Sequence, residues 1–294
     1  MLEKHPDQME CAVSVLIFTL NEEQNLSHCL ESVKWSDDVV VVDSFSSDGT
    51  LDICRAHGIR SVQHAFSGFG DQRNWALQQL DLRHEWVLIL DADERVPLEL
   101  AHELNCFAKT SPERVAAYRV KRRLHMWGKW LRYSSLYPTW VVRFVRRQRV
   151  RFVNRGHAET QEVDGDLRET EGYLIDENHK SLEAWFERQS RYARQEALFE
   201  IENETTSHRL QELVSTDPMR RRACLKSIAS RLPVRDILYF VYCYILRFGI
   251  LDGADGFRFC RMKSMYQSMI ATYKHDIRRN LAKDKNLKEA GAEQ

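Results

Sequence analysis

The stretch Ser14-Val-Leu-Ile-Phe-Thr-Leu-Asn-Glu-Glu-Gln-Asn-Leu26 decides the fold of this chain. It passes from a short apolar, β-branched run at residues 13–18 into polar residues and then into a helix-like stretch at 23–33. A short apolar run bounded by polar residues is typical of a buried strand. The alternation continues with strand-like runs at 39–42, 61–64 and 86–90 and helix-like stretches at 50–57 and 72–80. Strands that alternate with helices predict a parallel sheet of βαβ units.

The predicted helices begin near side chains that accept hydrogen bonds from backbone N–H groups. Asn21 is placed to cap the first helix, and Asp48 or Ser47 the second. Further along, residues 99–108 and 181–204 have helical patterning, whereas the basic and aromatic residues 118–155 predict a mixture of strands and loops.

The composition indicates a folded chain with an uneven charge distribution. Its 294 residues are 43% apolar and 29% charged, which suits one large domain or one domain with an appendage. The formal net charge is +0, yet residues 118–155 hold twelve Lys or Arg and no Asp or Glu, which predicts a local anionic partner. The 7 cysteines are widely spaced and form no Cys-x-x-Cys pair, as expected for a reducing compartment without a zinc knuckle.

Two segments of the chain bear on its expected location in the cell. Residues 1–10 are polar and of mixed charge, so no signal peptide and no export are expected. The longest apolar run, residues 237–246, is about half as long as the roughly twenty residues that span a bilayer. We therefore expect a cytoplasmic protein, peripheral on the inner face of the cell membrane, whose apolar run lies in or on a membrane without crossing it alone.

Polar residues follow the first, second and fourth predicted strands, and such ends meet at one edge of a parallel sheet. Asp91 and Asp93 flank one small residue, so both carboxylates are placed to reach a hard cation that also takes diphosphate oxygens. Mg²⁺ or Mn²⁺ there would neutralise a leaving diphosphate. An isolated Asp-x-Asp is also common in solvated turns and caps, so the motif does not decide the function alone.

Several other classes of protein fit the sequence less well. A phosphatase-type Asp-x-Asp follows the first strand, whereas this one follows the fourth and precedes Glu94. The first strand leads into Thr-Leu-Asn-Glu-Glu instead of the Gly-x-Gly-x-x-Gly of nicotinamide sites, and no glycine- and lysine-rich loop of a nucleotidyltransferase follows it. The arginines form no recognisable nucleic-acid reading motif, so no nucleic-acid partner is expected.

Four segments resemble family 2 glycosyltransferases of the GT-A fold: residues 14–26, Val39-Val-Val-Val-Asp-Ser-Phe-Ser-Ser-Asp-Gly-Thr50, Gln72-Arg-Asn-Trp-Ala76 and Leu88-Ile-Leu-Asp-Ala-Asp93. His157-Ala-Glu159 and Phe248-Gly-Ile-Leu-Asp-Gly253 are similar to the subgroup with lipopolysaccharide-core and exopolysaccharide members. The resemblance implies an α/β, Rossmann-like, mostly parallel sheet flanked by helices, with a helical, basic and aromatic C-terminal extension. We expect the catalytic domain at residues 1–215 and the extension, which associates with a membrane or binds the acceptor, at 216–294.

The same resemblance implies roles for residues at the strand ends. It assigns donor binding to Thr19, Leu20, Asn21 and Glu22 around the base, Asp43 on the base, Arg73 on the diphosphate and Asp91 on the ribose or the metal. It makes Asp93 the direct metal ligand, with His179 near the metal, and Glu159 the catalytic base. Glu162 and Asp164 compete with Glu159 for the base role, and helix capping is the alternative role of Thr19 and Asn21.

These roles predict a metal-dependent, inverting hexosyl- or N-acetylhexosaminyltransferase. A carboxylate takes the proton of the acceptor hydroxyl while Mg²⁺ or Mn²⁺ supports the departing diphosphate of a UDP-linked sugar. The expected acceptor is a glycan or a polyprenyl-linked glycan of bacterial cell-surface polysaccharide or lipopolysaccharide biosynthesis. The alternatives are a catalytically inactive, glycosyltransferase-like scaffold of a membrane complex and a nucleotidyltransferase.

A basic segment precedes the C-terminal apolar run. Its charged residues are Arg220, Arg221, Arg222, Lys226, Arg231 and Arg235, and tyrosines follow. Basic charge beside apolar and aromatic residues predicts attachment to an anionic membrane surface. The alternative is a buried helix with solvated arginines.

Overall fold

A computed structural model of the chain describes residues 11–155, 158–202 and 234–292. The chain divides into two compact units, Met1–Lys180 and Ser181–Gln294. The boundary that the sequence predicts, between residues 215 and 216, lies outside the described residues and stays a prediction.

The first unit alternates strands and helices before it becomes mostly β. Its helices are α1 (Leu26–Ser32), α2 (Thr50–Ala56), α3 (Phe69–Gln79) and α4 (Leu98–Thr110). Its strands are β1 (Val13–Thr19), β2 (Val39–Asp43), β3 (Arg60–Gln63), β4 (Trp86–Asp91), β5 (Glu94–Arg95), β6 (Val115–Met126), β7 (Lys129–Trp130), β8 (Thr139–Arg146), β9 (Val150–Arg155), β10 (Ala158–Val163) and β11 (Asp166–Glu177).

Strands β3-β2-β1-β4 form a parallel block at one side of a 9-stranded sheet. The sheet continues with β8, β6, β11 and β5, and β7 pairs with β6. Strand β8 runs antiparallel to both β4 and β6, whereas β6 and β11 are parallel to each other. The predicted α/β fold is therefore confirmed, and the expected mixture of strands and loops after residue 118 forms the mixed half of the sheet.

Strand β1 is apolar from Val13 to Phe18 except for the buried Ser14, because both faces of the sheet are covered. Val13, Val15 and Ile17 pack in the core on the side of α1 and α4. Leu16 points the other way and packs with Ala76 of α3. Side chains alternate between the faces of a strand, so this short stretch contributes to both cores.

The predicted cap at Asn21 is wrong. Helix α1 begins only at Leu26, and Asn21 has φ 54 in the turn that leaves β1. The side-chain oxygen of Asn21 accepts a hydrogen bond from the backbone N–H of Ser47 at 2.8 Å, so it ties two loops together. At α2, the Asp48 carboxylate accepts a hydrogen bond from the N–H of Thr50, the first helical residue, at 3.0 Å.

The second unit is helical. It contains α5 (Leu182–Glu202), α6 (Arg235–Val241), a π-helical turn (Tyr242–Leu246), a 3₁₀ turn (Gly249–Asp252) and α7 (Gly253–Ala292). Ala193 and Ala197 of α5 pack against Tyr266 and Ile270 of α7. Arg220, Arg221, Arg222, Lys226 and Arg231 lie outside the described residues.

Helix length limits how these helices can meet a membrane. Among the described residues, no single helix is long and apolar enough to cross a bilayer. The segments Arg235–Leu246 and Gly249–Lys283 meet the length and composition requirement only as a pair, and they are bent by 72° at the break between them.

Candidate active site

The Asp-x-Asp turn lies at the edge of the sheet where three strands end. Phe18 of β1 lies opposite Asp91 of β4, and Thr19 lies opposite Asp43 of β2. The parallel register thus brings the ends of β1, β2 and β4 side by side, which is where α/β sheets bind ligands.

Two arginines hold the Asp91 carboxylate. Arg73 of α3 donates to Oδ1 at 2.9 Å, and Arg143 of β8 donates to Oδ2. Burial opposes ionisation, yet the charges of Arg143 and Arg73 outweigh it and hold the pKa of Asp91 below its ordinary value. Asp91 is therefore ionised, with both oxygens engaged by guanidinium groups. Its predicted contact with ribose or metal stays a prediction.

Arg143 also anchors the residue that follows the turn. Glu94 is fully buried, accepts a hydrogen bond from the N–H of Asp91 at 3.0 Å and accepts another from Arg143 at 2.8 Å. The shape of the turn thus depends on a buried ion pair. Sequence reasoning missed both residues, although an arginine between Val142 and Phe144 in a buried strand is a signal for an internal acidic partner.

The buried charge network extends away from the turn. Arg122 of β6 lies 3.6 Å from Glu94 and 3.4 Å from Asp176 of β11. Burial raises the pKa of Asp176 to about 7, against the lowering effect of Arg122. Several arginines of residues 118–155 therefore have acidic partners inside the protein, which lessens the charge available to an external anion.

Asp93 and His179 meet through the end of β11. The Asn178 side chain donates to the Asp93 carboxylate at 2.8 Å, and the Glu177 N–H donates to the Asp93 carbonyl at 2.9 Å. His179 follows directly, with its N–H bonded to Asn25 at 2.7 Å and its side chain 37% exposed. The fold therefore brings the second aspartate and the predicted histidine to one place.

The ligand atoms of the predicted metal residues are not drawn together. Among the described residues, three side chains able to bind a metal do have their ligand atoms within 4.8 Å of one another, but they are Cys11, Asp37 and His84. These three lie at the opposite end of the strands. Asp93 and His179 offer a carboxylate and an imidazole on neighbouring loops, and a diphosphate would have to supply further ligands. Carboxylate and phosphate oxygens suit Mg²⁺ and Mn²⁺, so this donor set fits a metal held jointly by protein and donor.

Glu159 of β10 joins the same charge network. It forms an ion pair with Arg73, so one guanidinium contacts both Asp91 and Glu159. Its side chain is 13% exposed, and its Oε2 atom is buried without a hydrogen-bond partner among the described residues. Burying a carboxylate oxygen without a hydrogen-bond partner destabilises the fold, so a purely structural role does not explain this arrangement of Glu159.

The competing acids lie elsewhere. Glu162 is 3.9 Å from Arg151, and Asp164 is 3.6 Å from Arg149, with side chains 66% and 86% exposed. Both line a cleft with these arginines. Glu162 lies on the face of β10 opposite Glu159, because the two are three residues apart on one strand. The geometry favours Glu159 over both. His157 lies outside the described residues.

Asp43 supports the loop between β2 and α2. It is fully buried, and its carboxylate accepts hydrogen bonds from Thr19 at 2.9 Å, from the N–H of Ser46 at 2.9 Å and from Gln63 at 3.3 Å. Thr19 is 3% exposed. These two residues shape the floor of the predicted base pocket, and their direct contact with a base stays a prediction.

Glu22 ties the loop after β1 to the end of the first unit. Its carboxylate bonds Asn25 at 2.7 Å and pairs with Lys180, while its N–H donates to Thr50 at 2.8 Å. Burial raises the pKa of Glu22, although Lys180 opposes the effect. These contacts fix the position of Asn25, which in turn holds His179.

Two exposed apolar side chains stand at this otherwise polar edge. Leu20, which follows β1, is 43% exposed, and Phe45, which follows β2, is 60% exposed. Phe45 has φ 61, a left-handed conformation that costs a bulky residue about 1–2 kcal/mol. The sequence analysis named Leu20 but missed Phe45. The available signal was a phenylalanine inside the otherwise polar loop that follows β2.

A parallel β3-β2-β1-β4 block with an Asp-x-Asp turn after β4, followed by a mixed sheet, defines the GT-A class of fold. The sequence profile described as "Glycosyl transferase family 2" matches residues 14–162, which run from β1 to β10. The chain belongs to glycosyl transferase family 2.

Relatives match part of the chain. A lipopolysaccharide core biosynthesis glycosyltransferase, LpsC of Rhizobium meliloti (strain 1021), is 30% identical over 145 residues, 48% of this chain and 53% of LpsC. An uncharacterized glycosyltransferase of Rickettsia typhi is 34% identical over 111 residues, 37% of each protein. The chain thus spans about a third to a half of the curated relatives it matches.

Solved structures show weaker likeness. S. aureus TarS 1-349 has a TM-score of 0.39 and 17% identity, with 90% of this chain and 92% of that chain covered. Glucosyl-3-phosphoglycerate synthase from Mycobacterium tuberculosis, in complex with Mn²⁺, UDP-glucose and glycerol 3-phosphate, has a TM-score of 0.33 and 21% identity, with 44% and 48% covered. At these TM-scores the fold assignment depends on the family match and the sheet topology.

Proposed function

We propose that this protein is an inverting glycosyltransferase that moves a sugar from a UDP-linked donor to a glycan or a polyprenyl-linked acceptor. The observation that carries this proposal is the bridge that Arg73 forms between Asp91, at the Asp-x-Asp turn, and Glu159. It places a carboxylate able to accept a proton beside a cation able to bind a diphosphate. The similarity to LpsC supports a role in lipopolysaccharide or another bacterial cell-surface polysaccharide. We propose the cytoplasmic face of the membrane as its location.

The chemistry follows from these side chains. The acceptor hydroxyl oxygen attacks the anomeric carbon, the bond from that carbon to the diphosphate breaks, and Glu159 takes the hydroxyl proton. Attack from the face opposite the leaving group inverts the anomeric centre. Mg²⁺ or Mn²⁺, held by Asp93 and His179 together with the donor, would supply positive charge to the leaving diphosphate.

Arg73 has two roles in this scheme. It binds Asp91 and also pairs with Glu159, so it holds both carboxylates in place. A donor diphosphate would be a third anionic partner for Arg73 and competes with Glu159 for the guanidinium. Release from this pair leaves the Glu159 carboxylate free to take the proton of the acceptor hydroxyl, which ties proton acceptance to donor binding.

We expect UDP to stabilise the protein only when Mg²⁺ or Mn²⁺ is present. Asp91, Asp93 and Glu159 repel a bare diphosphate, and the two nearest arginines already pair with acids. With UDP at about a hundred times its Kd, binding adds about 2.7 kcal/mol to the free energy of unfolding. Thermal unfolding with and without chelator measures the effect, and UMP with the same metal is the control. An equal shift in chelator contradicts the proposed metal dependence.

Phe45 and Leu20 are proposed to flank the base of the donor, because a planar base stacks well on an exposed ring. We expect Phe45→Asn to weaken UDP binding by about tenfold, since stacking contributes on the order of 1–3 kcal/mol. Asn adopts left-handed conformations readily, so the free energy of unfolding should stay equal or increase by up to about 1 kcal/mol. Calorimetric titration and urea unfolding measure the two effects, and Phe45→Tyr, which keeps the ring, is the matched control. Unchanged UDP affinity in Phe45→Asn would remove Phe45 from the base pocket.

A further inference from the structure

Exposed apolar side chains are concentrated in one short segment of the second unit. Of 21 large apolar residues that are exposed among those described, eleven lie within residues 234–257. Five of them, each more than half exposed, lie at the break between α6 and α7, and we call them the apolar bend: Ile245 (56%), Leu246 (65%), Phe248 (61%), Ile250 (55%) and Leu251 (62%). Exposed apolar residues are ordinary when scattered, whereas a continuous set marks an interaction surface.

The backbone of the bend is fixed by close approaches that only glycine allows. A Cβ atom on Gly249 would lie 2.7 Å from the Cys243 carbonyl oxygen. A Cβ atom on Gly256 would lie 2.4 Å from the Gly249 carbonyl oxygen. Inside the bend, Cys243 and Cys260 are 1% and 0% exposed. Small residues therefore fill the inside, and the large apolar side chains have no room to turn inward.

The exposed charges around the bend are basic, whereas Asp236 and Asp255 are half-buried. Between residues 234 and 263, the charged side chains that are exposed are Arg247, Arg258 and Arg261. Asp255 is half-buried and pairs with Arg258 at 2.9 Å. An apolar protein partner does not require a basic border, whereas an anionic bilayer attracts one.

Three aromatic rings from the segments that flank the apolar bend pack together. Phe240 and Tyr244 stack with centroids 5.3 Å apart, and Phe257 meets them edge-on at 5.8 and 5.5 Å. Aromatic side chains favour the level of the lipid headgroups. Apolar tip, aromatic rings and exposed arginines are the side chains expected in a segment that enters a bilayer from one side.

Length and shape favour shallow insertion over crossing. The twelve residues of Arg235–Leu246 are too few to span the hydrocarbon layer, which needs about twenty. The following helix turns away by 72°, so the bend forms the tip of an angle instead of the middle of a span. Such a tip can bury a few side chains in one leaflet.

We propose that the apolar bend inserts into one leaflet of an anionic lipid bilayer, with Arg247, Arg258 and Arg261 at the headgroup phosphates. The proposal deepens the proposed function, because an enzyme acting on a membrane-held acceptor needs a membrane contact. It narrows the predicted membrane attachment, which combined six basic residues with the apolar run at 237–246, to the C-terminal end of that run and the residues after it. Arg235, one of the six basic residues of that prediction, is 7% exposed and pairs with Glu200 at 3.1 Å.

The test is flotation of the full chain with vesicles of phosphatidylcholine alone or mixed with phosphatidylglycerol. The triple variant Leu246→Ser, Phe248→Ser, Leu251→Ser should lower the partition coefficient by about a hundredfold, because each buried apolar side chain contributes several-fold or more. The triple variant Arg247→Gln, Arg258→Gln, Arg261→Gln should lose about fivefold per residue, and only on the anionic vesicles. The matched control is Leu98→Ser with Leu281→Ser, two exposed leucines outside the bend, and it should bind like the parent.

Circular dichroism and thermal unfolding establish that each variant is folded. Equal flotation of the serine variant and the parent overturns the proposal. A parent chain that fails to float also overturns it, whether the parent is a monomer or a dimer that the serine variant dissociates. Turnover of the sugar donor is measured separately, without vesicles. A chain that turns over the donor but does not float overturns this inference alone. A chain that floats but does not turn over the donor overturns the proposed activity alone.

Discussion

Asp93→Asn is expected to lower kcat/KM for sugar transfer by about a thousandfold or more, the largest single effect in the site. Asp93 is the carboxylate placed beside His179 by the hydrogen bond from Asn178 and the N–H of Glu177. Metal charge on a leaving diphosphate supplies several kcal/mol of transition-state stabilisation, and each 1.36 kcal/mol or so is tenfold in rate. The amide has the size of the carboxylate but not its charge, so metal binding is lost while the turn keeps its shape. Initial rates over a range of Mn²⁺ concentrations measure the effect.

Asp166→Asn is the matched control for this variant. Asp166 is an exposed acid on β11 that pairs with Arg114 at 3.1 Å, far along the strand from the Asp-x-Asp turn. Both variants should unfold within about 0.5 kcal/mol of the parent, as is usual for substitutions outside the core. If Asp93→Asn keeps its rate at low Mn²⁺, the metal is held elsewhere. If the parent turns over none of the common UDP-sugars, the inactive scaffold becomes the better explanation.

The sequence predicted the parallel half of the sheet because its signals are local. In β1 and β4, five consecutive residues are buried and all of them except Ser14 are apolar, and the polar strand ends follow directly. Arg73 and Asp91 were named for the same reason, since each lies inside a segment with a recognisable pattern. The positions of these residues follow from the strand order, which βαβ connections restrict strongly.

The mixed half of the sheet was less predictable because its signals are long-range. Arg143 is 52 residues from Asp91 in sequence, and no local pattern indicates that β8 inserts between β4 and β6. Without that pairing, a run of basic residues indicates an external anion, whereas Arg143, Arg122 and Arg119 in fact meet Glu94, Asp176 and Glu169. The Arg119–Glu169 pair is exposed, whereas removing one partner of the buried Arg143–Glu94 pair costs about 3–5 kcal/mol because it leaves an uncompensated buried charge.

Helix capping failed at Asn21 for a related reason. A polar side chain near the start of a helix accepts a hydrogen bond from whichever N–H the fold brings closest. Here the loop after β2 brings Ser47 to Asn21, and the loops of β1 and β2 are joined before α1 begins. The resulting cross-link between loops shapes the edge at which the donor is proposed to bind, and local sequence carries no information about it.

Glu159→Gln is expected to lower kcat by about a hundred- to ten-thousandfold while UDP affinity changes little. The glutamine keeps the size of the side chain and can still accept a hydrogen bond from Arg73, but it cannot take the proton of the acceptor hydroxyl. An interaction needed only in the transition state alters the rate and not donor binding. Steady-state kinetics, with UDP titrated separately, measure both properties.

Glu162→Gln is the matched control for this last experiment, since Glu162 lies on the same strand but pairs with Arg151 on the exposed side. It should keep nearly full activity, because its carboxylate is separated from the Arg73 and Asp91 pair by the strand itself. A Glu159→Gln protein with weakened UDP binding and an unchanged kcat would make Glu159 a binding residue that acts through Arg73. An active Glu159→Gln beside an inactive Glu162→Gln would transfer the base role to the other face of β10, and then the bridge through Arg73 would serve only to hold the Asp-x-Asp turn.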